Sequence, residues 1–342
     1  MSAEKFIVTL TADFYDAAGK LKFKDIGLSA MAENPKIARH VFKEHRPEIE
    51  ADQIDGAQGV VVLTPSVTAK SVTKPENLLV MARFGVGYDS VDVKACTDAN
   101  VLVTTTPGAV DRSVAEATVG WMIALSHNVR SKDRLVRSGH WDERSKYMGR
   151  ELRDHTLGVI GYGGIGRKLV ELLGGFGMKE PLVFDPFLKE APGVRLVGMK
   201  ELLKEADFVS IHCPLTEKTR GLIGAPELSL MKPDAYLLNT ARGGIVDEDA
   251  LYDALKNGRL GGVALDCFAV EPVTSPHRFG YFDNVILAPH SIAWTDEMFR
   301  DIGRSAFRVM ADVSLGKKPR GVINPEVFDH PEFQEKWQRL KT

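Results

Sequence analysis

Cysteine is scarce in this sequence, and none of it is spaced to pair. The 342 residues hold three cysteines, Cys96, Cys213 and Cys267, with no CxxC among them. An odd count without that spacing argues against a disulfide framework and against a thiolate metal site. The expectation is therefore three reduced thiols and no metal. Long apolar runs are also missing: no stretch approaches the roughly 20 apolar residues of a membrane span. Neither charge sign is in excess, the formal net charge being −2. That removes the electrostatic reason to expect nucleic acid or an anionic membrane as partner, while leaving small anions possible at a local positive site. The opening "MSAEKFIVTL" carries Glu4 and Lys5 and too short an apolar run for a signal peptide, so a cytoplasmic chain is expected. Repeats and low-complexity segments are absent.

What is present reads as a globular α/β protein. Hydrophobic residues make up 44% and charged residues 26%, and this length suits two domains of roughly 100–200 residues each. "FIVTL" (Phe6–Leu10), "GVVVL" (Gly59–Leu63), "LLVMA" (Leu78–Ala82) and "VLVTT" (Val101–Thr105) are nearly continuous in apolar residues. Parallel strands covered on both faces have that character. Helical stretches lie between them, one around Val91 to Asn100. From Asp111, a plausible N-cap, to about Arg137 the pattern predicts one long helix. Val114, Ala117, Trp121, Ala124 and Leu125 recur in it at helical spacing. Such a helix suits a crossing between domains or a subunit interface.

A second α/β unit begins near Thr156. "TLGVIGYGGIG", "PLVFDPF", "ADFVSIHCPL", "DAYLLNTARGG", "GGVALDCF" and "NVILAPH" are each a short apolar strand ending in glycine or polar residues. Ligands of open parallel sheets bind outside the C-terminal strand ends. A final helix is predicted over about Asp296 to Leu315.

Gly161, Gly163 and Gly166 form a GxGxxG pattern between a strand and a helix. The first glycine allows the tight turn, the second lets a pyrophosphate approach the backbone, and the third lets the helix pack on the strand. The loop Gly161, Tyr162, Gly163, Gly164, Ile165, Gly166 is thus a candidate dinucleotide cradle, with the helix N-terminus facing the phosphates. Asp185 lies 19 residues past Gly166, at the end of the next strand. A carboxylate there accepts from ribose hydroxyls and repels a 2′-phosphate, which favours NAD over NADP.

Three further strand ends carry Arg242, Glu271 and His290, 29 and then 19 residues apart. Interconverting a 2-hydroxy acid and a 2-oxoacid needs a cation for the carboxylate, a group that moves the hydroxyl proton, and a hydride carrier. Arginine's planar fork suits the first role, and histidine suits the second. A carboxylate beside the imidazole would orient it. Each residue also has a structural reading: Arg242 as a helix cap or a partner of Asp247, Glu271 as a solvated turn residue, His290 as a satisfied core histidine.

Over most of its length, from about Leu78 to Trp294, the sequence resembles the D-isomer-specific 2-hydroxyacid dehydrogenases. The resemblance rests on "RFGVGYDSVD", "SVAEATVGWMIAL", "LGVIGYGGIGR", "DFVSIHCPLTEKTRGLIG", "LLNTARGGIVDEDAL", "GGVALDCFAVEP" and "LAPHSIAW", in that order. It implies two Rossmann/flavodoxin-like domains with parallel sheets. A cofactor domain (108–294) would be inserted into a discontinuous substrate domain (1–107 and 295–342). It implies catalytic roles for Arg242, Glu271 and His290. It implies cofactor contacts from Cys213, Pro214, Thr219, Thr240, Ala241, Asp266 and Ala293, with Asp266 holding the nicotinamide carboxamide. Arg83, Val86 and Gly87, with Arg242 and His290, would meet the substrate. A homodimer through the helix near 111–137 is implied as well. Cys267 stands where such proteins more often carry valine, and is expected to be a packed small side chain. No serine-binding regulatory module is expected after Thr342.

The leading reading is an NAD-dependent D-2-hydroxyacid dehydrogenase of glyoxylate/hydroxypyruvate- or phosphoglycerate-reductase type. The alternatives are a dinucleotide-sensing, corepressor-like binding protein and a phosphite-type dehydrogenase.

Overall fold

The structure, a computed structural model, describes residues 5–32, 34–73 and 75–341. The chain divides into two compact units, one made of Met1–Val110 and Trp294–Thr342 and the other of Asp111–Ala293.

The first unit carries strands β1 (Phe6–Leu10), β2 (Ile37–Val41), β3 (Gly59–Val62), β4 (Val80–Arg83) and β5 (Leu102–Thr104). They form one parallel sheet in the order β2-β1-β3-β4-β5, the flavodoxin-like arrangement. β3 is buried along its whole length, which accounts for its unbroken apolar run. β2, "IARHV", is a polar, largely exposed strand at the sheet edge. Its sequence carries no apolar run to mark it as a strand. The helices of this unit are α1 (Ser29–Ala32), α2 (Val93–Asp98), α9 (Asp296–Ser314) and α10 (Pro331–Gln338). Thr295 caps α9 by accepting from the Met298 amide, and its buried face includes Phe299, Ile302, Ala306 and Met310. Trp294, expected in the cofactor domain, belongs instead to this unit, because its ring lies edge-on to Phe23 and Phe299.

The second unit holds α3 (Asp111–Ser126), α4 (Val129–Ser138), α5 (Gly164–Leu173), α6 (Met199–Glu205), α7 (Ala225–Leu230) and α8 (Glu248–Lys256). Its strands are β6 (Leu157–Ile160), β7 (Leu182–Phe184), β8 (Arg195–Leu196), β9 (Phe208–Ile211), β10 (Tyr236–Asn239), β11 (Gly262–Leu265) and β12 (Val285–Leu287). The parallel sheet runs β12-β11-β10-β9-β6-β7-β8. The chain reverses direction of travel across the sheet between β6 and β9, which is the position where Rossmann sheets open a ligand crevice. Leu157, Val159, Leu238 and Ala264 join Trp121, Met122 and Leu125 of α3 in one core on one side of the sheet. Leu237, Val263 and Leu265 pack with Leu251 and Leu255 of α8 in another.

The single long helix predicted from Asp111 is two helices. Asn128 adopts a left-handed backbone, φ 53°, between α3 and α4. The Ser126 carbonyl accepts from the Arg150 amide at 2.8 Å, so a returning loop ends α3 where the local pattern would continue it. Asp111 is the first helical residue, not the cap. The buried stripe is Ala115, Thr118, Trp121, Met122 and Leu125, while Val114, Ala117 and Ala124 are only half-buried.

Candidate active site

β6 ends at Ile160, and Gly161 turns the chain with φ +89°. A Cβ there would come within 2.7 Å of the Cys213 amide nitrogen. Glycine thus lets the loop after β6 lie against the loop after β9. A Cβ on Gly166 would meet the Gly161 carbonyl oxygen at 2.6 Å, while one on Gly163 would meet nothing within 4 Å among the described residues. The loop is tight at Gly161 and Gly166 and open at Gly163, at the N-terminus of the ten-residue helix α5. Tyr162 is buried, with the Arg167 guanidinium over its ring at 4.6 Å. Gly164 abuts the Asp111 carboxylate, and Ile165 is the next residue of α5.

Asp185 follows β7 directly. One of its oxygens accepts from the Tyr162 amide at 2.9 Å and the other from the Phe187 amide at 3.0 Å. The carboxylate is therefore fixed to the loop it was expected to complement. Cys213 is half-buried, and burial pushes its thiol up to about 11. Pro214 is exposed beside it, and its carbonyl accepts from the Thr219 hydroxyl at 2.6 Å. Thr240 holds a buried hydroxyl with no hydrogen-bond partner among the described residues. An open glycine cradle at a helix N-terminus, a pinned carboxylate and an unpartnered hydroxyl together fit a dinucleotide.

The strands β10, β11 and β12 are adjacent and parallel, with Asn239 opposite Leu265 and Leu265 opposite Leu287. Their C-terminal loops consequently share one edge. In the first loop, buried Asn239 accepts from the Ala241 amide at 3.0 Å and donates to the Arg242 carbonyl at 2.8 Å. This clamp shapes the turn bearing Arg242, whose guanidinium donates to the Ala241 carbonyl at 2.7 Å. A Cβ on Gly243 would collide with the Phe268 carbonyl, so this glycine lets the first loop touch the second. Asp247, weighed as a partner for Arg242, instead caps α8 through the Asp249 and Ala250 amides.

In the second loop, Asp266 is buried and its Oδ1 accepts from the Ser291 and Ile292 amides at 2.8 and 3.1 Å. Burial pushes its carboxyl above the usual range, against those amides. Glu271 Oε1 accepts from the Phe268 amide at 2.8 Å, and Oε2 lies 2.7 Å from His290 Nδ1. Burial opposes its charge, yet the His290 and Phe268 hydrogen bonds and the Arg242 charge hold the carboxyl below its ordinary value. In the third loop, His290 has a left-handed backbone, φ 53°, and its amide donates to the Asp266 carbonyl at 2.8 Å. Non-glycine residues in this region carry strain that concentrates at functional sites. Ala293, buried, ends the unit.

Arg242, Glu271 and His290 are thus brought to one sheet edge with the dinucleotide loop. Asn239, which positions Arg242, was missed; its place at a strand end beside "TARGG" was the available signal. Arg83, Val86 and Gly87 belong to the first unit. Arg83 ends β4, donates to the Phe84 carbonyl, and lies against Gly85, where the backbone has φ +139°. Val86 and Gly87 follow, both half-buried.

Residues 119–291 match the family model "D-isomer specific 2-hydroxyacid dehydrogenase, NAD binding domain". The D-3-phosphoglycerate dehydrogenase of Methanocaldococcus jannaschii is 40% identical over 85% of this chain, which spans 55% of that protein, about half its length. The glyoxylate reductase of Thermofilum pendens is 36% identical, with 88% of this chain and 92% of that protein covered. Among solved structures, the Aquifex aeolicus D-lactate dehydrogenase, complexed with NAD and lactic acid, superimposes with a TM-score of 0.76. It is 28% identical and covers 89% of this chain and 94% of its own.

Proposed function

The chain belongs to the D-isomer specific 2-hydroxyacid dehydrogenase family, and from that premise we propose that it reduces a small 2-oxoacid of the glyoxylate, hydroxypyruvate or phosphohydroxypyruvate type. The observation that carries this reading is the His290–Glu271 hydrogen bond at 2.7 Å, beside Arg242 and on the same sheet edge as the dinucleotide loop. NAD(H), when bound, supplies or takes the hydride. Gly161–Gly166 and the N-terminus of α5 would hold its pyrophosphate, Asp185 its adenosine ribose, and Asp266 its carboxamide. Cys213, Pro214, Thr219, Thr240, Ala241 and Ala293 are the proposed flanking contacts.

Arg242 would bind the substrate carboxylate with its planar fork and stabilise charge growing on the carbonyl oxygen. His290 would give its proton to that oxygen in the reduction and take it back in the oxidation. Glu271, kept ionised by its surroundings, orients the imidazole through Nδ1 and steadies its positive form, so that Nε2 is the nitrogen that exchanges the proton. Arg83, Val86 and Gly87 are proposed as substrate-binding residues of the first unit.

NADH consumption in the presence of these acids tests the reading. A chain that binds NADH and turns over none of them would refute it. We also propose a homodimer, supported by the exposed Val136, Trp141 and Met148 in and after α4. A monomeric mass by light scattering would remove that part.

A further inference from the structure

We propose that Cys267, Glu271 and His290 form a site for a thiophilic divalent cation, of which zinc is the representative, and that its occupation switches off proton transfer. The inhibitory half rests on the function proposed above; the binding half does not. One ligand atom from each side chain lies within 4.8 Å of the other two. A thiol, a carboxylate and an imidazole are all zinc ligands, and three protein ligands leave the fourth tetrahedral position for water.

The fold explains why they meet. Cys267 and Glu271 lie in the loop after β11 and His290 in the loop after β12, and these strands are paired in parallel. The thiol forms the floor: Cys267 is 2% exposed and its sulfur donates to the Ala241 carbonyl at 3.4 Å. The other two form the mouth, with side chains 32% (Glu271) and 45% (His290) exposed. A cation can therefore enter from solvent past Glu271 and His290 and reach the sulfur. Both mouth residues are held from behind, Glu271 by the Phe268 amide and His290 by its own amide on the Asp266 carbonyl.

Zinc bonds of about 2.3 Å to sulfur and about 2.0 Å to nitrogen set the sulfur–nitrogen separation at about 3.5 Å. Side-chain rotation of the exposed Glu271 and His290 supplies the closure on the sulfur and opens the His290–Glu271 hydrogen bond, which the two metal bonds replace. On binding, the thiol proton passes to solvent and the cation sheds waters. Thiolate and carboxylate then neutralise the dication. The ligand set excludes magnesium, which prefers oxygen donors. The bound cation takes the imidazole and the carboxylate that proton transfer requires, so turnover stops while the metal stays.

Cobalt(II) is the probe. Added to the purified protein without cofactor or substrate, one equivalent should give a thiolate-to-cobalt charge-transfer band in the near ultraviolet, abolished by zinc and untouched by magnesium. Cys267→Val and Cys267→Ser should each lose the band, and His290→Ala should weaken cobalt binding at least tenfold. In the reductase assay, zinc should inhibit wild type, a chelator should restore it, and Cys267→Val should keep its turnover while needing at least tenfold more zinc. No band in wild type, or a band undiminished in both Cys267 variants, overturns the site. A band without any 2-oxoacid turnover would uphold the site and reject the function.

Discussion

His290 Nδ1 lies 2.7 Å from Glu271 Oε2, and the other oxygen of Glu271 is taken by the Phe268 amide at 2.8 Å. The carboxylate is held at both ends, so the imidazole it orients is held too. Glu271→Gln keeps the shape and removes the charge. A charge-assisted hydrogen bond is worth about 1.5–3 kcal/mol, which predicts a fall in kcat of about 10- to 100-fold. His290→Ala removes the proton donor itself and should cost about 10²–10⁴. Steady-state kinetics on the two variants checks the order: equal or reversed losses contradict the assignment.

The same pair predicts a pH effect on stability. The Glu271 carboxyl is held below its ordinary value in the fold. Its contribution is then complete above the unfolded value of about 4.3 and is lost as pH falls through the lowered folded value. The Tm gap between wild type and Glu271→Gln should be present at pH 7 and shrink in strong acid. A gap that widens in acid reverses the sign and refutes the ionised pair.

Arg242 depends on a turn that Asn239 clamps from both sides. Arg242→Lys keeps a charge but loses the fork, and kcat/KM should drop about 10²–10³. Asn239→Ala should lower kcat/KM while also destabilising the protein by about 1–3 kcal/mol, since buried partners are left unsatisfied. Denaturant melts together with kinetics separate the two variants. An Asn239→Ala protein with unchanged kinetics would show that the clamp does not position Arg242.

Asp185 is expected to set cofactor choice. Asp185→Ala should weaken NADH use and improve NADPH use, shifting the NADH/NADPH ratio of kcat/KM by tenfold or more, about 1.4 kcal/mol. An unaltered ratio removes Asp185 from that role.

His212 offers a control away from proton transfer. Its Nε2 meets Ser210 Oγ at 2.8 Å, its Nδ1 is buried without a hydrogen-bond partner among the described residues, and burial pushes its pKa down to about 4. The neutral ring is favoured by folding, so stability should be full above the unfolded value of about 6.5 and decline as pH falls toward 4. His212→Asn should flatten Tm against pH between those limits. An unchanged slope would show that the ring is hydrated.

Much of the site was legible because its signals are local. The glycine loop, Asp185 and the charged strand ends each sit within a few residues of an apolar strand, and buried parallel strands such as β6, β9, β10 and β11 announce themselves by nearly continuous apolar runs. The remainder depends on contacts distant in sequence. The polar edge strand β2 gains its structure from pairing with β1 alone. The break at Asn128 follows from Arg150 reaching the Ser126 carbonyl, which helical periodicity cannot register. The left-handed backbone of His290, and the placing of Cys267 beside the expected Glu271–His290 pair, exist only once β11 and β12 lie side by side. Spacing along the chain gave no hint of that thiol, carboxylate and imidazole as a set.

The most direct measurement is NADH oxidation by the purified protein across glyoxylate, hydroxypyruvate, phosphohydroxypyruvate and sugar-acid-derived 2-oxoacids, run beside His290→Ala. Saturable oxidation with at least one acid is expected of the wild type, reduced about 10²–10⁴ in the variant. No oxidation of NADH with any of them, or turnover undiminished in His290→Ala, would contradict it.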